Sequence, residues 1–279
     1  MLDQAIISAE INGRHFAPEF GRTETGLVKF PRADTDLRRM ILPNIDPAIH
    51  PVKANMYMVR ELIKYVSEPG ELICDPFAGT GTILIGITLG RNIQCIEIEP
   101  PYQEAIQAAI YDMSLAYPDI EEHTLVINGD CRKILPLQDF TNHMIFSPPY
   151  SSVLKKKGSL DQFTKDAGYG GALEYSASPD NIANLSDFIY FQVMERTYKK
   201  FYDSIVSGGT MTVIIKDRIT AGKRVPLADK TIKVAVKVGF DLIARHRWEA
   251  LGGGFAAFNR SIGLETVNEE DLLTFRRVG

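Results

Sequence analysis

Asp75-Pro76-Phe77-Ala78-Gly79-Thr80-Gly81-Thr82 is the stretch on which the reading of this chain turns. It follows a short apolar run, Glu71-Leu-Ile-Cys74, and precedes another, Ile83-Leu-Ile-Gly-Ile-Thr-Leu89. The order is strand, glycine turn, helix. A glycine turn in this place lets backbone approach a ligand without interference from a Cβ atom. Enzymes that bind dinucleotides carry G-x-G-x-x-G here and seat a pyrophosphate on the helix N-terminus. This chain has Gly79-Thr-Gly81 without the third glycine.

Working outward, the same unit repeats without repeating its sequence. Arg91 to Glu97 reads as a strand, and Pro100-Pro101 opens a helix through Ala116. Thr124 to Asp130 is a third strand, and Asn142 to Ser147 a fourth. Upstream, Met56, Val59, Leu62, Ile63 and Val66 recur at helical spacing, which predicts a helix over Ala54 to Ser67. Alternating strands and helices predict an α/β fold with a doubly wound, mostly parallel sheet. Ligands of such sheets bind beyond the carboxyl ends of the strands. Asp75, Glu97, Asp130 and Ser147 all fall there. A carboxylate beside the glycine turn repels phosphates and suits a cationic amino-acid group. That favours S-adenosylmethionine (SAM) over NAD. Glu97 is about 20 residues past Asp75, the distance of an acid that takes ribose hydroxyls. Asp130 is placed to accept from an adenine amino group.

Ser147-Pro148-Pro149-Tyr150 is the sharper chemical signal. An exocyclic base amine is a poor nucleophile because its lone pair is delocalised into the ring. It needs acceptors that draw it towards tetrahedral geometry. The Ser147 hydroxyl and the Pro148 carbonyl can supply them, and prolines fix φ and so aim that carbonyl. Tyr150 offers a face for stacking on an extruded base. Ser147 is not a strong general base, so the proton leaves after methyl transfer.

The two stretches together resemble the DNA amino-methyltransferases, which form N4-methylcytosine or N6-methyladenine. Asp75 to Gly81 resembles the family's motif I. Ile96-Glu97-Ile98-Glu-Pro-Pro-Tyr102 resembles motif II, Gly129-Asp130 motif III, and Ser147-Pro-Pro-Tyr150 the catalytic motif IV. His50-Pro-Val-Lys53 resembles motif X, although Ala54 follows where the family has a further proline. The resemblance covers roughly residues 48–250. It implies a Rossmann-like class I SAM-dependent methyltransferase fold. It assigns His50, Lys53, Asp75, Phe77, Ala78, Gly79, Thr80, Gly81, Thr82, Glu97, Ile98, Asp130 and Cys131 to the cofactor, and Ser147, Pro148, Pro149 and Tyr150 to catalysis. Ser147 leans towards cytosine N4, because many adenine enzymes of this kind carry Asp or Asn there.

The 279 residues are 45% hydrophobic and 24% charged, ordinary for a soluble protein, and no apolar run is long enough to span a membrane. No signal peptide is visible, and the cytoplasm is the expected compartment. Cys74, Cys95 and Cys131 lack a metal-ligand or redox spacing, and the five histidines are scattered, so no metal is expected. The net charge is −4, yet Lys155, Lys156, Lys157, Lys216, Arg218, Lys223 and Arg224 cluster after the Ser-Pro-Pro-Tyr stretch. A solvated loop is the plain reading of any one cluster; together they are candidate phosphate contacts. Residues 1–279 are read as a single methyltransferase domain. Residues 1–47 form an N-terminal arm or lid and 151–185 an irregular insertion; these two and the basic loop 216–224 are the candidates for target recognition. A homodimer or an accessory specificity subunit would help so small a chain to grip a duplex. The expected partner is DNA, with RNA as the alternative and a non-catalytic nucleic-acid-binding module as the reading from another class. Beyond the insertion, the sequence predicts a helix over 185–206 ended by Gly208-Gly209, and a strand over 210–216. It then predicts a basic loop over 219–229, a helix over 231–238, a strand over 240–248 and a last strand around 260–264.

Overall fold

The computed structural model describes residues 10–42, 54–149, 182, 185–220, 222–251 and 261–279. Seven strands form one sheet in the order β3-β2-β1-β4-β5-β9-β8. Their ranges are β1 Leu72–Asp75, β2 Asn92–Glu97, β3 Thr124–Asn128, β4 Thr141–Phe146, β5 Ile205–Ile215, β8 Phe240–Glu249 and β9 Glu269–Arg277. The pairs β1–β2, β1–β4, β2–β3 and β4–β5 are parallel, and β9 runs against both β5 and β8. The helices are α1 Thr35–Ile41, α2 Met56–Val66, α3 Pro100–Ser114, α4 Cys131–Ile134, α5 Asp187–Ser204 and α6 Leu227–Val238. Thr82–Leu89, between β1 and β2, is wound as a tighter 3-10 helix.

Alternation along the strands explains why helices cover both faces. Ile73, Ile93, Ile145 and Ile214 join one apolar layer with Met58, Leu62 and Ile63 of α2, Ile83 and Leu84 of the 3-10 helix, and Ile106 of α3. Their neighbours Cys74, Ile96, Met144, Phe146, Val213 and Ile215 point the other way, onto Tyr198 and Phe201 of α5 and Ile232 of α6. Successive strand residues face opposite sides, so a near-continuous apolar strand is what two covered faces require. This is the doubly wound, mostly parallel arrangement expected from the sequence.

Residues 10–42 pack closely against the sheet edge and α2. Phe16 stacks on His246 with ring centroids 4.6 Å apart and meets Tyr65 of α2 edge-on at 5.6 Å. Phe30 lies 5.9 Å from Trp248. Val28 exchanges backbone bonds with the edge strand: its N–H donates to Arg247, and the Glu249 N–H donates to its carbonyl, both at 2.9 Å.

Several boundaries differ from the sequence expectation, each for a local reason. Strand β5 begins at Ile205, before Gly208-Gly209, so those glycines interrupt a strand instead of ending a helix. The β4–β5 register shifts between Thr141 and His143. A Cβ on Gly209 would sit 2.2 Å from the Asn142 carbonyl oxygen, so only glycine fits that approach. The expected basic loop holds a hairpin, β6 Arg218–Thr220 and β7 Lys223–Val225, and α6 starts four residues earlier than its apolar period predicts. The last strand is Glu269–Arg277, not a strand around 260–264; positions 261–264 are irregular. Its acidic opening hid it. Glu270 accepts from the Trp248 indole at 2.8 Å, and Asp271 accepts from Arg245 at 2.7 Å, so those carboxylates are satisfied within the sheet.

The Gly209 contact generates a prediction. Gly209→Ala should lower stability by about 2–3 kcal/mol, because backbone and not a flexible side-chain end meets the added methyl. Urea denaturation followed by circular dichroism measures it, and an unchanged midpoint would contradict the close approach.

Candidate active site

The carboxyl ends of β1, β2, β3 and β4 open onto one cleft. Asp75, Phe77, Ala78, Gly79, Thr80, Thr82, Glu97, Ile98, Asp130, Cys131, Ser147, Pro148 and Pro149 all line it. Gly81 does not line it; its φ of 80° turns the chain into the 3-10 helix, a conformation that favours glycine. His50, Lys53, Tyr150 and Lys155 to Lys157 lie outside the described residues, as does nearly all of the 151–185 segment.

Glu97 organises the floor. One carboxylate oxygen accepts the Gly79 N–H at 2.6 Å and the other accepts the Glu99 N–H at 2.9 Å. The end of β2 therefore holds the turn that follows β1. Burial pushes Glu97 up to about 7, against the pull of those amide donors. Asp75 is half-buried, accepts the Phe77 N–H at 2.9 Å, and is pushed up to about 8 by desolvation and by nearby Glu97. Phe77 packs on Phe146 at 5.6 Å and on Phe201 at 6.2 Å, so the apolar layer under the sheet fixes the loop from below.

Asp130 caps α4 through the Arg132 N–H at 2.9 Å and holds the Arg132 guanidinium with both oxygens. It thus faces the cleft as half of an ion pair. The Cys131 thiol is raised by burial and stays protonated. Of the expected phosphate contacts, Arg218 holds Asp187 at 2.5 Å, and Arg224 holds Asp217 at 2.8 Å and Glu269 at 2.6 Å. The Lys216 ammonium donates to the Ala250 carbonyl at 2.6 Å. Lys223 is exposed on the hairpin. Among the described residues no group of histidines, cysteines and acids could hold a metal, and no helix is long and apolar enough to cross a membrane.

Sequence reasoning left out three groups that the fold brings here. Tyr102, in the first turn of α3, lines the cleft beside Glu97 and Glu99; it closes the stretch that resembles motif II but stands outside the site residues read from the sequence. Arg132 enters as the partner of Asp130. Ala54 and Val59 of the α2 region form the wall opposite, and Arg38 stands behind them, bonded to Ala54 and Thr82.

The lining suits a nucleoside joined to a cationic group. Two carboxylates, buried Glu97 and half-buried Asp75, lie along the floor, and the guanidinium that faces the cleft is already matched by Asp130. Residues 30–108 match the sequence model of the N6/N4 DNA methylases. The chain resembles this DNA methylase family across motifs X, I and II. The match stops before Asp130 and Ser147, which rest on the fold and on the sequence motifs. No curated protein sequence matches the chain. Among solved structures, a methyltransferase from Pyrococcus furiosus superposes with a TM-score of 0.53 at 10% identity, over 88% of this chain and 95% of its own. The glycopeptide N-methyltransferase MtfA, solved with SAM, gives 0.50 at 12%, over 88% and 99%. The [4+2]-cyclase SpnF also gives 0.50 at 12%, over 85% and 86%. At such identities these neighbours show the fold, that of the class I SAM methyltransferases, and nothing of the substrate. The match over residues 30–108 is to a family of DNA methylases, and the fold is the one that SAM-dependent methyltransferases use.

A pH dependence follows from the floor. Only ionised carboxylates accept ribose hydroxyls well or face a sulfonium favourably. Lowering the pH protonates Asp75 near 8 and Glu97 near 7, so SAM affinity should fall by about tenfold between pH 8.5 and pH 6. Calorimetry across that range reads it. Glu97→Gln should bind more weakly and lose the part of the slope near pH 7; a slope unchanged by the substitution would remove Glu97 from the site.

Proposed function

We propose that this chain transfers the methyl group of SAM to an exocyclic amino group of a base in DNA, and that the base is cytosine, methylated on N4. The observation that carries the reading is that Ser147-Pro148-Pro149, at the end of β4, opens on the same cleft as Asp75 and Glu97. Bound SAM supplies an electrophilic methyl on a sulfonium. The chain's own residues bind, orient and accept. Glu97 takes the ribose hydroxyls, and the glycine turn keeps side chains away from the ligand. Phe77 and Ile98 give apolar walls. On the substrate side the Ser147 hydroxyl and the Pro148 carbonyl accept hydrogens of the amine and draw its lone pair out of the ring. Pro148 is buried, which holds that carbonyl against solvent competition. Tyr150 is proposed to stack on the extruded base.

The choice of cytosine rests on Ser147 and on the family resemblance. DNA is favoured over RNA by the family match. Lys223, exposed beside ion-paired Arg218 and Arg224, is the described basic residue best placed for a phosphate, which predicts binding that weakens with added salt. A homodimer or a separate specificity subunit would extend the grip on a duplex.

The reading is tested by incubation with SAM and mixed-sequence DNA or RNA, followed by mass spectrometry of the nucleosides. N4-methylcytosine in DNA is expected. N6-methyladenine would overturn the choice of base, and product in RNA alone would overturn the choice of polymer. Ser147→Ala should lower kcat about 100-fold and leave SAM affinity within twofold.

A further inference from the structure

Arg38 belongs to none of the motifs, yet the fold places it behind the glycine turn. It lies on α1, is 6% exposed, and pairs with Asp34 at 2.7 Å. Its guanidinium also donates to the Ala54 carbonyl at 2.9 Å and to the Thr82 hydroxyl oxygen at 3.2 Å. Asp34 in turn accepts the Met56 N–H at 2.9 Å, and the Asn55 amide donates to the Pro31 carbonyl at 2.8 Å. Residues 31–38 are thus clamped to the start of α2 and to the first residue of the 3-10 helix. Ala54 and Thr82 both line the cleft.

The chemistry of this contact is one-sided. A guanidinium only donates, whereas a hydroxyl has one proton and two lone pairs. With Arg38 on one lone pair, the Thr82 proton must be given elsewhere. Among the described residues, no carbonyl or carboxylate takes it. Thr82 is half-buried and faces the cleft. The cleft also has a direction. Asp130 follows β3, Glu97 ends β2, and Thr82 follows β1, so a ligand with its ribose at Glu97 has one end by Asp130 and the other by Thr82. The Arg38 charge is matched by Asp34, so its effect on the cleft is one of orientation more than of net charge.

We propose that Arg38 is a positioning residue for the amino-acid end of SAM: by occupying a lone pair of the Thr82 hydroxyl, it directs the hydroxyl proton to the carboxylate of the bound cofactor. This rests on the SAM reading of the cleft. Lysine cannot replace arginine, because a single ammonium does not span Asp34, Ala54 and Thr82 in one plane.

The test compares SAM with 5′-methylthioadenosine, which keeps the nucleoside and lacks the amino-acid end, by calorimetry on the full chain. Thr82→Val preserves shape and removes the hydroxyl. It should weaken SAM about tenfold, leave methylthioadenosine within twofold, and be rescued by Thr82→Ser. Arg38→Lys should give the same selective loss. Added to Thr82→Val it should cost less than twofold more, because the two residues act in series. Equal losses for both ligands, full additivity of the two changes, or unchanged binding by Thr82→Val would each overturn the proposal and leave the cofactor reading standing. A wild-type chain that binds neither ligand would overturn both.

Discussion

The bond from the Gly79 N–H to the Glu97 carboxylate joins the ends of β1 and β2, and the cleft is arranged around it. Without it the turn's tie to β2 would be the longer bond from the Ala78 N–H to the Ile96 carbonyl, at 3.2 Å. With it, the residue at the end of one strand sets the position of the loop at the end of the next. The same carboxylate takes the Glu99 N–H, which starts α3 at Pro100 and turns Tyr102 towards the cleft. The bond demands a buried acid, and burial raises the cost of its charge. The protein meets that cost with backbone donors instead of a basic side chain, and the remaining lone pairs stay available to a ligand.

The three solved neighbours separate what the scaffold decides from what the lining decides. A glycopeptide N-methyltransferase and a cyclase superpose on this chain about equally well, so the sheet order cannot select a reaction. Selection has to come from side chains. Here the lining places carboxylates where a ribose and a sulfonium would lie, and a Ser-Pro-Pro turn at the end of the adjacent strand β4. The family match covers the first of these features and stops short of the second.

Much of this was legible in the sequence because it was local. Strand, glycine turn and helix at 71–89 announced themselves through composition, the acids at 75 and 97 marked strand ends, and Asp130 fell two residues past the end of β3. What escaped was whatever depended on distant partners. Glu269-Glu-Asp271 reads as a polar loop until Arg245, Trp248 and Arg224 are brought beside it. Gly208-Gly209 reads as a helix stop until the Asn142 carbonyl is seen to require it. Arg218 and Arg224 read as free cations until Asp187, Asp217 and Glu269 are placed opposite them. Arg38 gives no signal of its own, since its meaning lies in Thr82, far along the chain. The irregular N-terminal stretch is the extreme case: its aromatics have no period because each meets a different neighbour.

Val28 has a consequence for the solution behaviour of the whole molecule. β8 is the outermost strand on its side of the sheet, ten residues long, and an outer strand of that length offers unpaired backbone groups to any passing chain. The N-terminal segment occupies part of that row, with Val28 bonded on both its amide and its carbonyl, and Phe16 and Phe30 cover the aromatic side chains beneath. The segment therefore acts as a guard against self-association. A chain shortened past residue 30 would lose that cover, and its first visible defect would be aggregation at the bared edge.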